Sequence, residues 1–184
     1  MRPAFAVALT IAALTPGGPA HACRTVAPLH LEDVRFADLV VVGRIARYEI
    51  VRDMEFRRKM LASPHLTPDM RKLYEGPEGL ISDFARFEVR IDEVLAGSAP
   101  AAIIVTWDAS TFGEPETMPA GPFLIALRDP KSPTPPLRGP SGYIGPSPDP
   151  NLPTVLQAPC SQAFLFESGS GEAGAVRALL RSGE

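Results

Sequence analysis

The chain has 184 residues and a formal charge of −3, with 18 Lys plus Arg against 21 Asp plus Glu. That length fits a single domain, and the weak acidity argues against a protein built mainly to neutralise nucleic-acid phosphates. A hydrophobic content of 45% excludes disorder along the whole length, and only two cysteines, Cys23 and Cys160, exclude a disulfide-dense miniprotein and a four-cysteine zinc site.

The chain opens as an export signal. Arg2 is followed by eleven uncharged, mostly apolar residues, Ala4 to Leu14, too short for a bilayer-spanning helix of about 20 residues. Pro16, Gly17, Gly18 and Pro19 break the helix, and Ala20-His21-Ala22 places small residues before a cut. Cleavage after Ala22 removes residues 1–22, leaves Cys23 first, and shifts the charge to −4 through the loss of Arg2. Cleavage after Ala20 is the rival. No later run is long and apolar enough to anchor the chain in a membrane. Export implies a periplasmic or secreted protein, whose two cysteines form one bridge, Cys23 to Cys160. The competing reading is a lipoprotein acylated on Cys23; it is the less favoured one, because a leucine is usual where Ala20 stands and His21 is unusual.

Residues 23–184 read as one domain. Leu39 to Ile50 alternates apolar and polar residues as a strand, with Gly43 as a candidate bulge. Residues 52–80 form a charged excursion containing short helical pieces, Met54 to Leu61 and Pro68 to Tyr74. Thr67 is the expected N-cap of the second piece, and Pro68 takes its first position. Phe84 to Leu95 is the clearest amphipathic strand, followed by strands at Ala101 to Trp107 and Pro122 to Leu127. Trp107 beside Asp108 reads as core or as a loop anchor, with core the favoured reading.

Proline is the compositional outlier, at 21 residues. Ten lie between Pro130 and Pro159, which makes residues 129–159 an irregular connector without regular helix or central strand. Edge pairing is expected at most around Gly142 to Ile144 and Thr154 to Gln157. Ala163 to Phe166 is apolar, and Gly171 to Arg181 has helical spacing with Ser170 as its cap. The sum is a mainly β protein: an OB-like five-stranded barrel with a C-terminal helix and an irregular Pro-rich segment.

Particular residues then point to a family. The segments Ala37-Asp38-Leu39-Val40-Val41-Val42-Gly43 and Phe87-Glu88-Val89-Arg90-Ile91-Asp92-Glu93-Val94-Leu95-Ala96-Gly97, with Cys23 directly after a signal and Gly121-Pro122-Phe123-Leu124-Ile125-Ala126-Leu127 downstream, resemble the netrin-like superfamily. That superfamily includes the tissue inhibitors of metalloproteinases. The resemblance covers residues 23 to 128. It implies an OB-like barrel, and a partner-binding ridge of Cys23, Arg24, Thr25 and Val26 in which the amine and carbonyl of Cys23 chelate a protease zinc. The chain departs from the family in having Thr25 where a second cysteine belongs.

No signal for catalysis matches this strength. Beyond the signal only His30 and His65 remain, with no HExxH, no G-x-S-x-G and no phosphate loop. Asp92 and Glu93 are adjacent on a strand, so their side chains diverge. Arg57-Arg58-Lys59 is the only basic triplet. The expectation is an exported binding module without catalytic residues, cofactor or intrinsic metal. Its partner is a protein, with a protease the candidate, and not a nucleic acid. An undetected exported hydrolase is the third reading.

Overall fold

The computed structural model describes residues 26–76, 83–108, 115–137, 147 and 149–183. Residues 1–25 lie outside that set, so the signal, Cys23, Arg24 and Thr25 do too, as does the Gly142 to Ile144 pairing.

Four long strands build the body of the molecule: β1 (Leu39–Val51), β2 (Phe84–Ala96), β3 (Ala102–Asp108) and β4 (Phe123–Arg128). β1 pairs antiparallel with β2 and, over Leu39 to Gly43, with β4, while β2 pairs antiparallel with β3. Closure depends on a two-residue strand, β5 (Thr154–Val155), which runs parallel to β3 at Thr106 and antiparallel to β4 at Leu127 and Arg128. The strand cycle is therefore 1-2-3-5-4-1. The result is a closed five-stranded mixed barrel of the OB-like kind.

Position β5 corrects the sequence reading of this region. Thr154 and Val155 were expected at most at a sheet edge, within an irregular connector, but they lie between β3 and β4. Proline does not forbid it, because Pro153 stands just before the ladder. Its missing N–H is not needed there, and its carbonyl accepts from the Thr106 N–H at 2.9 Å.

Gly43 is a bulge site, as its place in an otherwise regular strand suggests. The β1–β2 register slips between Val42 and Gly43, and a Cβ on Gly43 would lie 2.5 Å from the Arg90 carbonyl oxygen. The register slips again between Ala46 and Glu49, where Arg47 takes a positive φ of 53°. These slips curl one long strand around the barrel so that its two ends serve different neighbours.

Two apolar clusters result. Val41, Ile45, Phe87, Val89, Val105, Ile125 and Leu127 fill the barrel. Val40, Val42, Leu124, Ala126, Phe164 and Val176 form a second core outside it. That outer core is covered by a 3-10 helix (Leu31–Phe36) and the C-terminal helix α3 (Gly171–Ser182). β4 is buried on both faces over all six residues because it is the wall between the two cores. Ser170 caps α3, accepting from the Ala173 N–H at 3.2 Å. Arg177 of α3 grips Glu93 of β2 with two bonds of 3.1 and 2.8 Å. This pair holds the Glu93 carboxyl below its ordinary range, through the hydrogen bond from the guanidinium, and raises Arg177 for the same reason.

The charged excursion folds into two helices, α1 (Met54–Leu61) and α2 (Pro68–Glu75). Asp53 and Thr67 cap them. Phe56 meets Tyr74 edge to face at 6.0 Å. A buried ion pair, Arg57 to Asp83 at 2.8 Å, ties α1 to the start of β2, and Asp83 also accepts from the Asp53 N–H at 2.9 Å. The excursion is thus a clamped helical hairpin in the loop between β1 and β2.

Candidate functional site

β5 is followed by a local excursion that borders a cleft. Ala126 of β4 accepts from the Leu156 N–H and donates to the Phe164 carbonyl, both at 2.9 Å, and the Phe164 N–H donates to the Leu156 carbonyl at 2.9 Å. One residue of β4 therefore faces both ends of a loop. Residues 157–163 leave the barrel as a small hairpin, with a bridge between Gln157 and Ala163. The chain then resumes along β4 as β6 (Leu165–Glu167).

Cys160 sits in this hairpin, buried and with a positive φ of 64°. No cysteine among the described residues is free. Its carbonyl accepts from the Ala27 N–H at 2.7 Å, so the N-terminal segment is docked against the hairpin. Gln157 braces the same loop. Its side-chain oxygen accepts from Trp107 Nε1 at 2.9 Å, and its amide nitrogen donates to the Ser161 carbonyl at 2.8 Å.

Between the N-terminal segment, the hairpin, β6 and the start of α3 lies a cleft of about 540 Å³. That is within the range of binding sites for small molecules and peptide side chains. Val26 and Trp107 line one part of it, Leu165 and Phe166 another, and Glu167 and Glu172 supply carboxylates. No lysine or arginine lines it among the described residues. Trp107 was expected in the core. It is instead half-buried, packing against the barrel interior while lining the cleft, because the strand end places its ring at the barrel mouth.

Of the four residues in the expected partner-binding ridge, only Val26 is described. It is 54% exposed, among the most exposed large apolar side chains. The other sequence candidates disperse. Asp92 pairs with Arg44 of β1 at 3.4 Å, while its neighbour Glu93 pairs with Arg177 of α3. His30 stands exposed beside the 3-10 helix and His65 in the turn between α1 and α2. The basic triplet does not form a patch, since Arg57 is buried in its ion pair while Arg58 and Lys59 are exposed. No group of three or more metal-ligating side chains occurs among the described residues.

The outer face of β2, a recurrent ligand surface in OB barrels, is laced with opposite charges. Arg86 bonds Glu49, Arg90 bonds Glu88, and Arg47 also reaches Glu88. Sequence reasoning missed the hairpin of residues 157–163 and the cleft beside it. The one available signal was the apolar stretch from Ala163, three residues after Cys160. No protein-family model matches the chain, and no curated protein matches it. No helix among the described residues is long and apolar enough to cross a membrane.

Proposed function

We propose that the protein is an exported binding module of netrin-like type that engages a protein partner through its N-terminal ridge and the adjoining cleft. The observation that carries this reading is the Ala27 to Cys160 backbone bond. It pins the chain just after the ridge and leaves Val26 exposed at the lip of the cleft. Residues 1–22 act as the signal, and the ridge is Cys23, Arg24, Thr25 and Val26. A Cys23–Cys160 disulfide ties the ridge to the hairpin. The burial of Cys160, and the absence of a free cysteine among the described residues, support a bridge over an acylated Cys23.

The partner is a protein, with a zinc protease the candidate implied by the family resemblance. The free amine and carbonyl of Cys23 would take the open position on that metal. Nucleic acid is not the ligand in this reading, because the β2 outer face pairs its arginines with carboxylates and presents no basic groove.

The test uses chain beginning at a verified Cys23, titrated against a panel of zinc metalloproteases. A matched variant carries one extra N-terminal alanine. Inhibition by the first and not by the second is the expected result. No inhibition by the first removes the protease mechanism. Intact mass gives the state of Cys23: loss of two hydrogens supports the bridge, and a diacylglycerol adduct overturns it.

A further inference from the structure

The edge of β6 that borders the cleft offers a backbone docking site. The Ala126 N–H bonds the Phe164 carbonyl, and the Ser168 N–H bonds the Pro122 carbonyl at 3.0 Å. Phe166, midway between them, faces Leu124. The hydrogen-bonding alternation of an antiparallel pair then turns the backbone groups of Leu165 and Glu167 away from β4. Two of those four groups are used locally. The Leu165 N–H donates to the Ala163 carbonyl at 2.8 Å, and the Glu167 carbonyl accepts from the Ser170 N–H at 2.9 Å. The Leu165 carbonyl and the Glu167 N–H remain without a hydrogen-bond partner among the described residues.

An acceptor followed two residues later by a donor, on one edge, matches a single residue of a parallel strand. That residue gives its N–H to the first group and its carbonyl to the second. Its two neighbours then place their side chains on the same face as Leu165 and Glu167. Leu165 and Trp107 make the cleft apolar on one side. Glu167 and Glu172 make it acidic on the other, and neither carboxylate has an ion-pair partner among the described residues. The protein's own N-terminal segment already docks beside this edge through a backbone bond, Ala27 to Cys160.

We infer that the cleft takes an extended peptide as a parallel strand on β6, with the pattern apolar residue, any residue, Lys or Arg. The apolar side chain lies beside Leu165, the middle residue makes both backbone bonds, and the cation lies beside Glu167. This inference rests on the binding-module reading but not on the zinc mechanism of Cys23.

Trp107 is the only tryptophan, so its fluorescence reports the cleft directly. The probe is acetyl-Thr-Val-Thr-Lys-Thr-amide, added to protein beginning at Cys23. The controls are the same peptide with Glu for Lys, with an N-methyl group on the central Thr, and with an N-methyl group on the Val. The parent and the Val-methylated peptides are expected to shift the Trp107 emission and slow hydrogen exchange at the Glu167 amide. The Glu peptide is expected to bind roughly tenfold more weakly. The centrally methylated peptide loses binding. Glu167→Gln weakens the parent peptide by up to about fivefold, and added salt does the same. Equal binding of both methylated peptides, equal binding of the Lys and Glu peptides, or no response to the parent overturns the proposal. If peptide binding fails while the Cys23 protein still inhibits a protease, only the cleft assignment falls. If peptide binding holds without inhibition, only the zinc mechanism falls.

Discussion

Replacing Asp83 with alanine isolates the clamp on the helical hairpin. Arg57 and Asp83 are 4% and 1% exposed at their side chains and 2.8 Å apart. Asp83 also accepts from the Asp53 N–H, and Asp53 in turn caps α1 through the Phe56 N–H. Asp83→Ala therefore removes the carboxylate that Arg57 bonds, while the Arg57 bond to the Gly76 carbonyl stays, and leaves the Asp53 N–H without this acceptor. Removing one partner of a buried pair typically costs about 3–5 kcal/mol. The hairpin can relieve part of this by opening and hydrating Arg57, which favours the lower end, about 3 kcal/mol. For a domain of this size that corresponds to a fall in Tm of roughly 6–12 °C.

Urea denaturation followed by circular dichroism measures the loss. Limited trypsin digestion shows whether Arg58 and Lys59 become a cleavage site. The double variant Arg57→Met with Asp83→Leu removes both charges and is expected to recover most of the stability. A loss below about 1 kcal/mol for Asp83→Ala, with an unchanged tryptic pattern, would refute the reasoning.

Other outcomes follow from the same geometry. Gly43→Ala places a methyl 2.5 Å from the Arg90 carbonyl oxygen and 2.8 Å from Val89 Cγ1. It is expected to cost about 1–3 kcal/mol in urea denaturation; a neutral result would mean the bulge yields freely. Glu93 is held in its charged form by Arg177, so the pair adds stability above the ordinary glutamate range, and that stability is lost as pH falls through the lowered folded value. Both groups are partly exposed, so the gain is at most about 1 kcal/mol. Denaturation curves of the native protein and Arg177→Met should separate at neutral pH and converge in acid. A gap that stays constant across that range would contradict the assignment.

The local elements were readable in the sequence because their causes are local. Alternation at Phe87, Val89 and Ile91 marks β2 without reference to anything else, and Thr67-Pro68 and Ser170 announce the helices they cap. Barrel closure was not readable in the same way. Thr154 and Val155 are ordinary strand formers between prolines, and only their neighbours Thr106 and Leu127 make them a closing strand. The burial of Arg57 likewise depends on Asp83, 26 residues away. A charged run gives no hint that one member has a buried partner. The candidate site was half legible. Val26 was singled out by its position while Cys23 to Thr25 lie outside the described residues, and the cleft depends on how the loop of residues 157–163 leaves the barrel, which is a matter of pairing across β4.

Ala126 closes the barrel ladder on both sides of that loop, so residues 157–163 add no rung of their own to the five-stranded cycle. The barrel treats them as a parenthesis. They are nonetheless seated rather than loose: Ala158, Cys160, Ser161 and Ala163 are buried, Ala158 in the outer core and Ala163 in the barrel core. The hairpin is therefore a plug that joins the two cores across the end of β5. A loop spliced in beside Trp107 would have to refill the space those four residues occupy, and a change that spares both cores is confined to the exposed Gln162.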